Sequence, residues 1–187
     1  MIMILMRIAI TGTPGVGKHT VAKIVADRLG MRLVDINEVA MSSAIIAMDE
    51  STYIVDVDKL ADIFKGVEDN TLLVGHLAPY VLDSIDLAVV LRRSPYELRD
   101  VYKQRGYSES KAKDNLQSEI LGIIAYDAVK RFGDDRVVEI DTTARDAEDV
   151  ADEIIRVVRH EKDGMLGHID WLALIVQRDE LREFFDY

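Results

Sequence analysis

The densest chemistry in this chain lies in Gly12-Thr13-Pro14-Gly15-Val16-Gly17-Lys18-His19-Thr20, which follows the apolar run Ile8-Ala9-Ile10 and precedes a stretch of helical period. This is the G-x-x-x-x-G-K pattern between a strand and a helix, the setting in which it holds polyphosphate. Glycines let backbone N–H groups curl around phosphate oxygens, the helix N-terminus adds positive potential, and Lys18 reaches the β and γ phosphates. An ordinary glycine-rich turn between strand and helix lacks a lysine at this spacing. The pattern assigns Gly12, Gly15, Val16, Gly17, Lys18, His19 and Thr20 to binding ATP, with Lys18 also catalytic.

The position after the lysine normally carries a Ser or Thr hydroxyl for Mg2+, and here it is His19. Magnesium prefers oxygen ligands and keeps several waters, so an imidazole is a poor direct ligand. Either Thr20 supplies the hydroxyl or His19 holds a magnesium-bound water. No residue is assigned as a direct metal ligand. Asp35, Asp56 and Asp58 are the acids nearest the ends of candidate strands; Asp58 also reads as a helix N-cap.

A phosphate loop serves switch GTPases, assembly ATPases and small phosphotransferases alike. The chain has no Asn-Lys-x-Asp segment to read guanine, and its apolar strands run into Gly75-His76 and Arg92 rather than into an acid. A phosphotransferase must exclude water and neutralise transition-state charge, which calls for a cationic lid. The segment from Arg92 to Lys113 is a candidate, since seven Lys and Arg there meet only Glu97, Asp100 and Glu109. Arg105-Gly106-Tyr107 lies between two helical stretches, where Gly106 allows a hinge and Arg105 could swing onto the phosphates, both binding the nucleotide and serving as a catalytic cation. His76, just past a buried strand, could project into the nucleotide cleft and orient an attacking water. Trp171 lies away from these motifs and reads as a packing anchor.

The elements that must position these residues are those of an α/β fold of the P-loop NTPase type, a five-stranded parallel sheet flanked by helices. Strands are expected at Arg7 to Thr11, Arg32 to Ile36, Thr71 to Gly75, Leu87 to Leu91 and Arg136 to Ile140. Helices are expected at Lys18 to Leu29, Asp58 to Lys65, Pro95 to Gln104, Ser110 to Phe132 and Ala147 to His160, followed by an amphipathic helix at the C-terminal end. A chain of 187 residues, with 49% hydrophobic and 30% charged residues, fits one globular domain. The net charge of −11 argues against wrapping nucleic acid. Most of the acid excess lies beyond Ile140, so it speaks about the surface and suits a basic partner. The absence of cysteine makes the reducing cytoplasm the default compartment. The apolar run Met1 to Met6 is cut short by Arg7 and reads as the lead-in to a strand, not a signal peptide or a membrane span.

Taken in order, Gly12 to Thr20, Val55 to Leu60, Gly75-His76-Leu77, Val89 to Pro95, Arg105-Gly106-Tyr107, and Asp114-Asn115 with Glu119 resemble the archaeal adenylate kinase family. That family is similar to a eukaryotic nuclear adenylate kinase that is also an ATPase in small-ribosomal-subunit maturation. The resemblance covers about residues 6–157. It implies a broad nucleoside monophosphate kinase with ATPase activity, taking AMP or a related monophosphate as acceptor. It further implies a monophosphate-binding segment near residues 35–53, a lid near 103–113 carrying Arg105, and a tail over 164–187. The partner it implies is a basic small-subunit ribosomal protein, and through it the pre-ribosome and rRNA processing. Relatives often carry an acid before the x-His at the strand end, where this chain has Val74.

Overall fold

Five short apolar strands build the sheet: β1 (Arg7–Thr11), β2 (Arg32–Asp35), β5 (Thr71–Val74), β6 (Leu87–Arg92) and β7 (Val137–Asp141). All pair in parallel, in the order β2-β5-β1-β6-β7. β5 and β6 are buried along their whole length, as strands covered on both faces must be. The computed structural model describes residues 6–43, 46–49 and 52–185, without the side chains of 46–49 and 52–54. Of the expected lead-in strand, residues 1–5 lie outside the described residues.

The helices divide between the two faces. On one, α1 (Lys18–Leu29) buries Val21, Ala22, Val25 and Leu29, and α8 (Ala147–Val158) packs Val150, Ile154 and Val158 beside it. On the other, α3 (Val57–Phe64), α4 (Ala78–Val81) and α7 (Ile123–Phe132) bury Leu60, Phe64, Val81, Ala128 and Phe132. With each face of the sheet covered, β1 is the central strand and its carboxyl end opens directly into Gly12 to Gly17. No helix among the described residues is long and apolar enough to cross a membrane.

Several expectations need correction. Ile36 does not end a strand but begins α2 (Ile36–Ser42), because the Asp35 carboxylate accepts from the backbone N–H of Asn37 at 2.8 Å and Glu38 at 3.3 Å. After α2 comes an antiparallel hairpin, β3 (Ile46–Asp49) and β4 (Thr52–Val55), which the sequence reading missed. The cap of α3 is Asp56, accepting from Lys59 N at 3.1 Å, while Asp58 sits in the first turn. The long helix expected from Ser110 to Phe132 is two, α6 (Glu109–Ile120) and α7, divided where Gly122 takes a φ of 64°. The amphipathic stripe continues across that break, so periodicity alone conceals it. The terminal helix is likewise two short ones, α9 (Trp171–Gln177) and α10 (Leu181–Phe184), separated by Asp179 in the left-handed region.

Candidate active site

The phosphate loop is shaped by contacts only glycine permits. A Cβ on Gly12, whose φ is 138°, would stand 2.4 Å from the Leu91 carbonyl oxygen. One on Gly15, at φ 97°, would press on Leu98 and Tyr102 at 3.0 and 3.1 Å. Both neighbours belong to α5 (Pro95–Gln104), which lies against the loop. The Tyr102 hydroxyl donates to the Pro14 carbonyl at 2.6 Å, and Arg93 Nη1 donates to the Gly15 carbonyl at 3.3 Å. The loop is thus held from its outer side, leaving its inner side open.

That open side faces a cleft of about 510 Å³ bordered by Thr13, Pro14, Gly15, Gly17, Lys18, His19, Thr20, His76 and Arg105, with Asn37, Tyr107, Lys111, Asn115, Ser118 and Ile124 completing its walls. Of the residues expected to bind nucleotide, Gly12 and Val16 do not line it. Gly12 makes the tight entry to the loop, and the Val16 side chain is buried in the core, so only the backbone at these positions can serve a phosphate.

Lys18 is nearly buried and its Nζ lies 3.4 Å from the Thr13 carbonyl. Burial, and then the positive charge of Arg105, lower its pKa to about 8. Arg105 itself is exposed at the C-terminal end of α5, and the left-handed Gly106 turns the chain back toward α6. Beyond it the Tyr107 ring stacks on Tyr102 at 5.2 Å, and Lys111 Nζ sits 4.5 Å over Tyr107. Tyr107, just past Gly106, is therefore anchored to the ring that touches the loop.

His76 is part-buried at the end of β5, and desolvation, reinforced by Lys18, drives its pKa down to about 4. It is a neutral imidazole at pH 7. His19 Nε2 lies 3.1 Å from Asp35 Oδ2, and desolvation lowers the pKa of this imidazole too, against the pull of the carboxylate. Asp35 stands opposite Val74 in the β2–β5 register. The register thus puts a carboxylate of the neighbouring strand level with Val74, although Asp35 itself does not line the cleft. Asp56 and Asp58, at the start of α3, do not line the cleft.

Sequence reasoning gave no role to Glu119, which proves central. Its carboxylate accepts from Arg92 Nε at 2.8 Å, Arg93 N at 3.1 Å, Trp171 Nε1 at 3.1 Å and the Thr13 hydroxyl. Trp171 is therefore not remote from the motifs. The available signal was the spacing of Asn115 and Glu119, one helical turn apart on the face of α6 turned to the loop.

The sequence profile of the family described as AAA domain matches residues 8–122. A protein named "Putative adenylate kinase" from Methanocaldococcus jannaschii is 36% identical over 188 residues, covering 97% of each chain. One of the same name from Halobacterium salinarum is 38% identical over 169 residues, covering 89% of this chain and 98% of its own. The chain belongs to this archaeal family of AAA-domain proteins. Among solved structures, a shikimate kinase from Acinetobacter baumannii in complex with shikimate matches with a TM-score of 0.61 at 18% identity, over 86% of this chain and 97% of that one. A likeness at that identity is one of fold, and the fold of the family is that of the small P-loop kinases.

Proposed function

We propose that the chain is a broad-specificity nucleoside monophosphate kinase that transfers the γ-phosphoryl of ATP to AMP, giving two ADP, with ATPase as a side activity. The observation that carries this reading is the meeting of Lys18 and Arg105 in one cleft, the first from the phosphate loop and the second from a glycine-hinged segment between two helices. Phosphoryl transfer needs little covalent chemistry from the protein and depends on position and charge. Backbone N–H groups from Gly15 to Lys18 hold the triphosphate, and Lys18 steadies the β and γ phosphates. Arg105 closes over the transferred group as the lid, near residues 103–113, excludes water.

The monophosphate-binding segment is assigned to residues 35–53, of which Asn37 lines the cleft; residues 44, 45, 50 and 51 of it lie outside the described residues. The relatives' name supports AMP as acceptor. Magnesium suits the oxygens present. Among the described residues no three His, Cys, Asp or Glu side chains gather as a metal cluster, so the nucleotide's own phosphates would be its main ligands. Thr20 offers a hydroxyl in the cleft, and Asp35 with His19 can hold a coordinated water. Bound there, the ion would neutralise charge on the β and γ phosphates.

The ATPase activity has its own support in His76, whose neutral imidazole can accept a hydrogen bond from a water in the cleft. A role in small-subunit maturation rests on the family resemblance, and co-purification with basic small-subunit proteins in the presence of ATP or ADP tests it. The kinase is tested by supplying Mg·ATP with and without AMP and following AMP, ADP and free phosphate. Consumption of one AMP per ATP is expected. ADP with equimolar phosphate, at a rate indifferent to AMP, would make the protein an ATPase instead.

A further inference from the structure

Behind the phosphate loop lies a buried ionic cluster that the proposed reaction does not use. Arg92, Glu119 and Glu139 are each less than 5% exposed. Arg92 bonds both carboxylates, and its Nη2 also donates to the Glu119 carbonyl at 2.8 Å. Two acids share one guanidinium, so the remaining lone pairs need donors from elsewhere. Those donors come from two distant parts of the chain. Thr13 of the phosphate loop and Trp171 bond Glu119, while Gly167 N donates to Glu139 at 2.6 Å.

The segment that contributes Gly167 and Trp171 is also fastened to the two helices flanking the lid. Gln117 Nε2 on α6 donates to the Phe184 carbonyl at 2.7 Å. On α5, Tyr96 donates to Glu180, Arg99 pairs with Glu183 at 3.2 Å, and the Arg99 guanidinium lies 4.5 Å over the Phe184 ring. Two of the tail's acids thus meet groups on the cationic segment of the same chain.

We propose that Glu119 is a positioning residue that couples the C-terminal segment to nucleotide occupancy of the phosphate loop, with Trp171 at the far end of the link. The proposal rests on the reading of Gly12 to Thr20 as a nucleotide site. Lys18 Nζ lies 3.4 Å from the Thr13 carbonyl, so a phosphate that draws the ammonium to itself changes the contacts of Thr13, whose hydroxyl is tied to Glu119 Oε2 while the indole is tied to Oε1. By linkage, a docked C-terminal segment then strengthens nucleotide binding as much as nucleotide strengthens docking.

The chain has a single tryptophan, so its emission reports Trp171 alone. Indole emission responds to hydrogen bonding at Nε1. The experiment titrates the intact protein with Mg·ATP, following tryptophan emission and, in parallel, heat by calorimetry. The expected result is a saturable emission change with the calorimetric midpoint. In Thr13→Val, which keeps the shape and removes the donor, the emission change measured at calorimetric saturation with ATP largely disappears, whatever the affinity. Trp171→Phe, which keeps ring packing, weakens ATP binding by about fivefold or more. Calorimetric binding with no change in Trp171 emission overturns the coupling, as does an emission change undiminished in Thr13→Val. Should that variant lose its native circular dichroism, an ATP affinity unchanged in Trp171→Phe overturns it equally. A failure of ATP to bind the intact protein by calorimetry strikes instead at the nucleotide site itself.

Discussion

His19 Nε2 and Asp35 Oδ2 lie 3.1 Å apart, so the residue in the usual hydroxyl position is tied to the carboxylate that caps the next helix. Asp35 thereby has two tasks, one toward α2 and one toward the phosphate loop. Replacing the imidazole by a hydroxyl should restore direct magnesium ligation. His19→Ser is expected to lower the magnesium concentration for half-maximal turnover about threefold to tenfold, because hard oxygen ligands suit this ion better. Asp35→Ala should raise it and also destabilise the fold by about 1 kcal/mol through loss of the cap. A magnesium titration of turnover, with thermal unfolding alongside, checks both.

The Lys18 pKa of about 8 predicts a pH dependence of ATP binding. In the free protein Lys18 is charged below that value and neutral above it. A bound polyphosphate favours the charged form and raises the pKa in the complex. Affinity should therefore be level below about pH 8 and fall as pH rises above it, with a proton taken up on binding. Calorimetry at pH 9 in buffers of different ionisation enthalpy should show uptake approaching one proton per ATP, and Lys18→Met should abolish it. Uptake that is the same at pH 6 and pH 9 would contradict the assignment.

Burial decides which arginines of the cationic segment matter to stability. Arg92→Leu leaves Glu119 and Glu139 facing each other without their shared cation, a change expected to cost about 3–5 kcal/mol. Arg99 pairs with Glu183 at a half-exposed site, where solvent screens the interaction. Arg99→Ala should cost no more than about 1 kcal/mol. Urea denaturation of the two variants measures the contrast.

The parts of this arrangement that follow from local rules were legible in the sequence. Ile8 to Ile10, Leu72 to Val74 and Leu87 to Leu91 are short apolar runs, and the glycine-lysine spacing after the first of them fixes which end of the sheet carries the site. What local rules cannot supply is partnership across the chain. Glu119 and Glu139 look like ordinary helix and strand residues until Arg92 is brought between them, and Trp171 lies 52 residues from the carboxylate it bonds. The division at Gly122 was hidden for a related reason. The glycine's φ of 64° breaks the helix where the packing partners change, since Leu116 and Ile120 before it join the core on one face of the sheet and Ala125 and Ala128 after it join the core on the other.

On the proposed reading, Arg105 acts in phosphoryl transfer more than in ATP binding. It is exposed at the C-terminal end of α5, in the segment proposed as the lid, and lines the same cleft as the phosphate loop proposed to hold ATP. Its charge should count most when negative charge spreads over the transferred oxygens, so the interaction belongs to the transition state more than to the ground state. Arg105→Ala is expected to reduce kcat for AMP phosphorylation by about 10²- to 10³-fold while ATP affinity changes by less than about threefold. Lys18→Ala, by contrast, should abolish turnover. Steady-state kinetics paired with equilibrium ATP binding distinguishes the two, and parallel losses of affinity and kcat in Arg105→Ala would place this arginine in ground-state nucleotide binding rather than in the lid's action on the reacting phosphate.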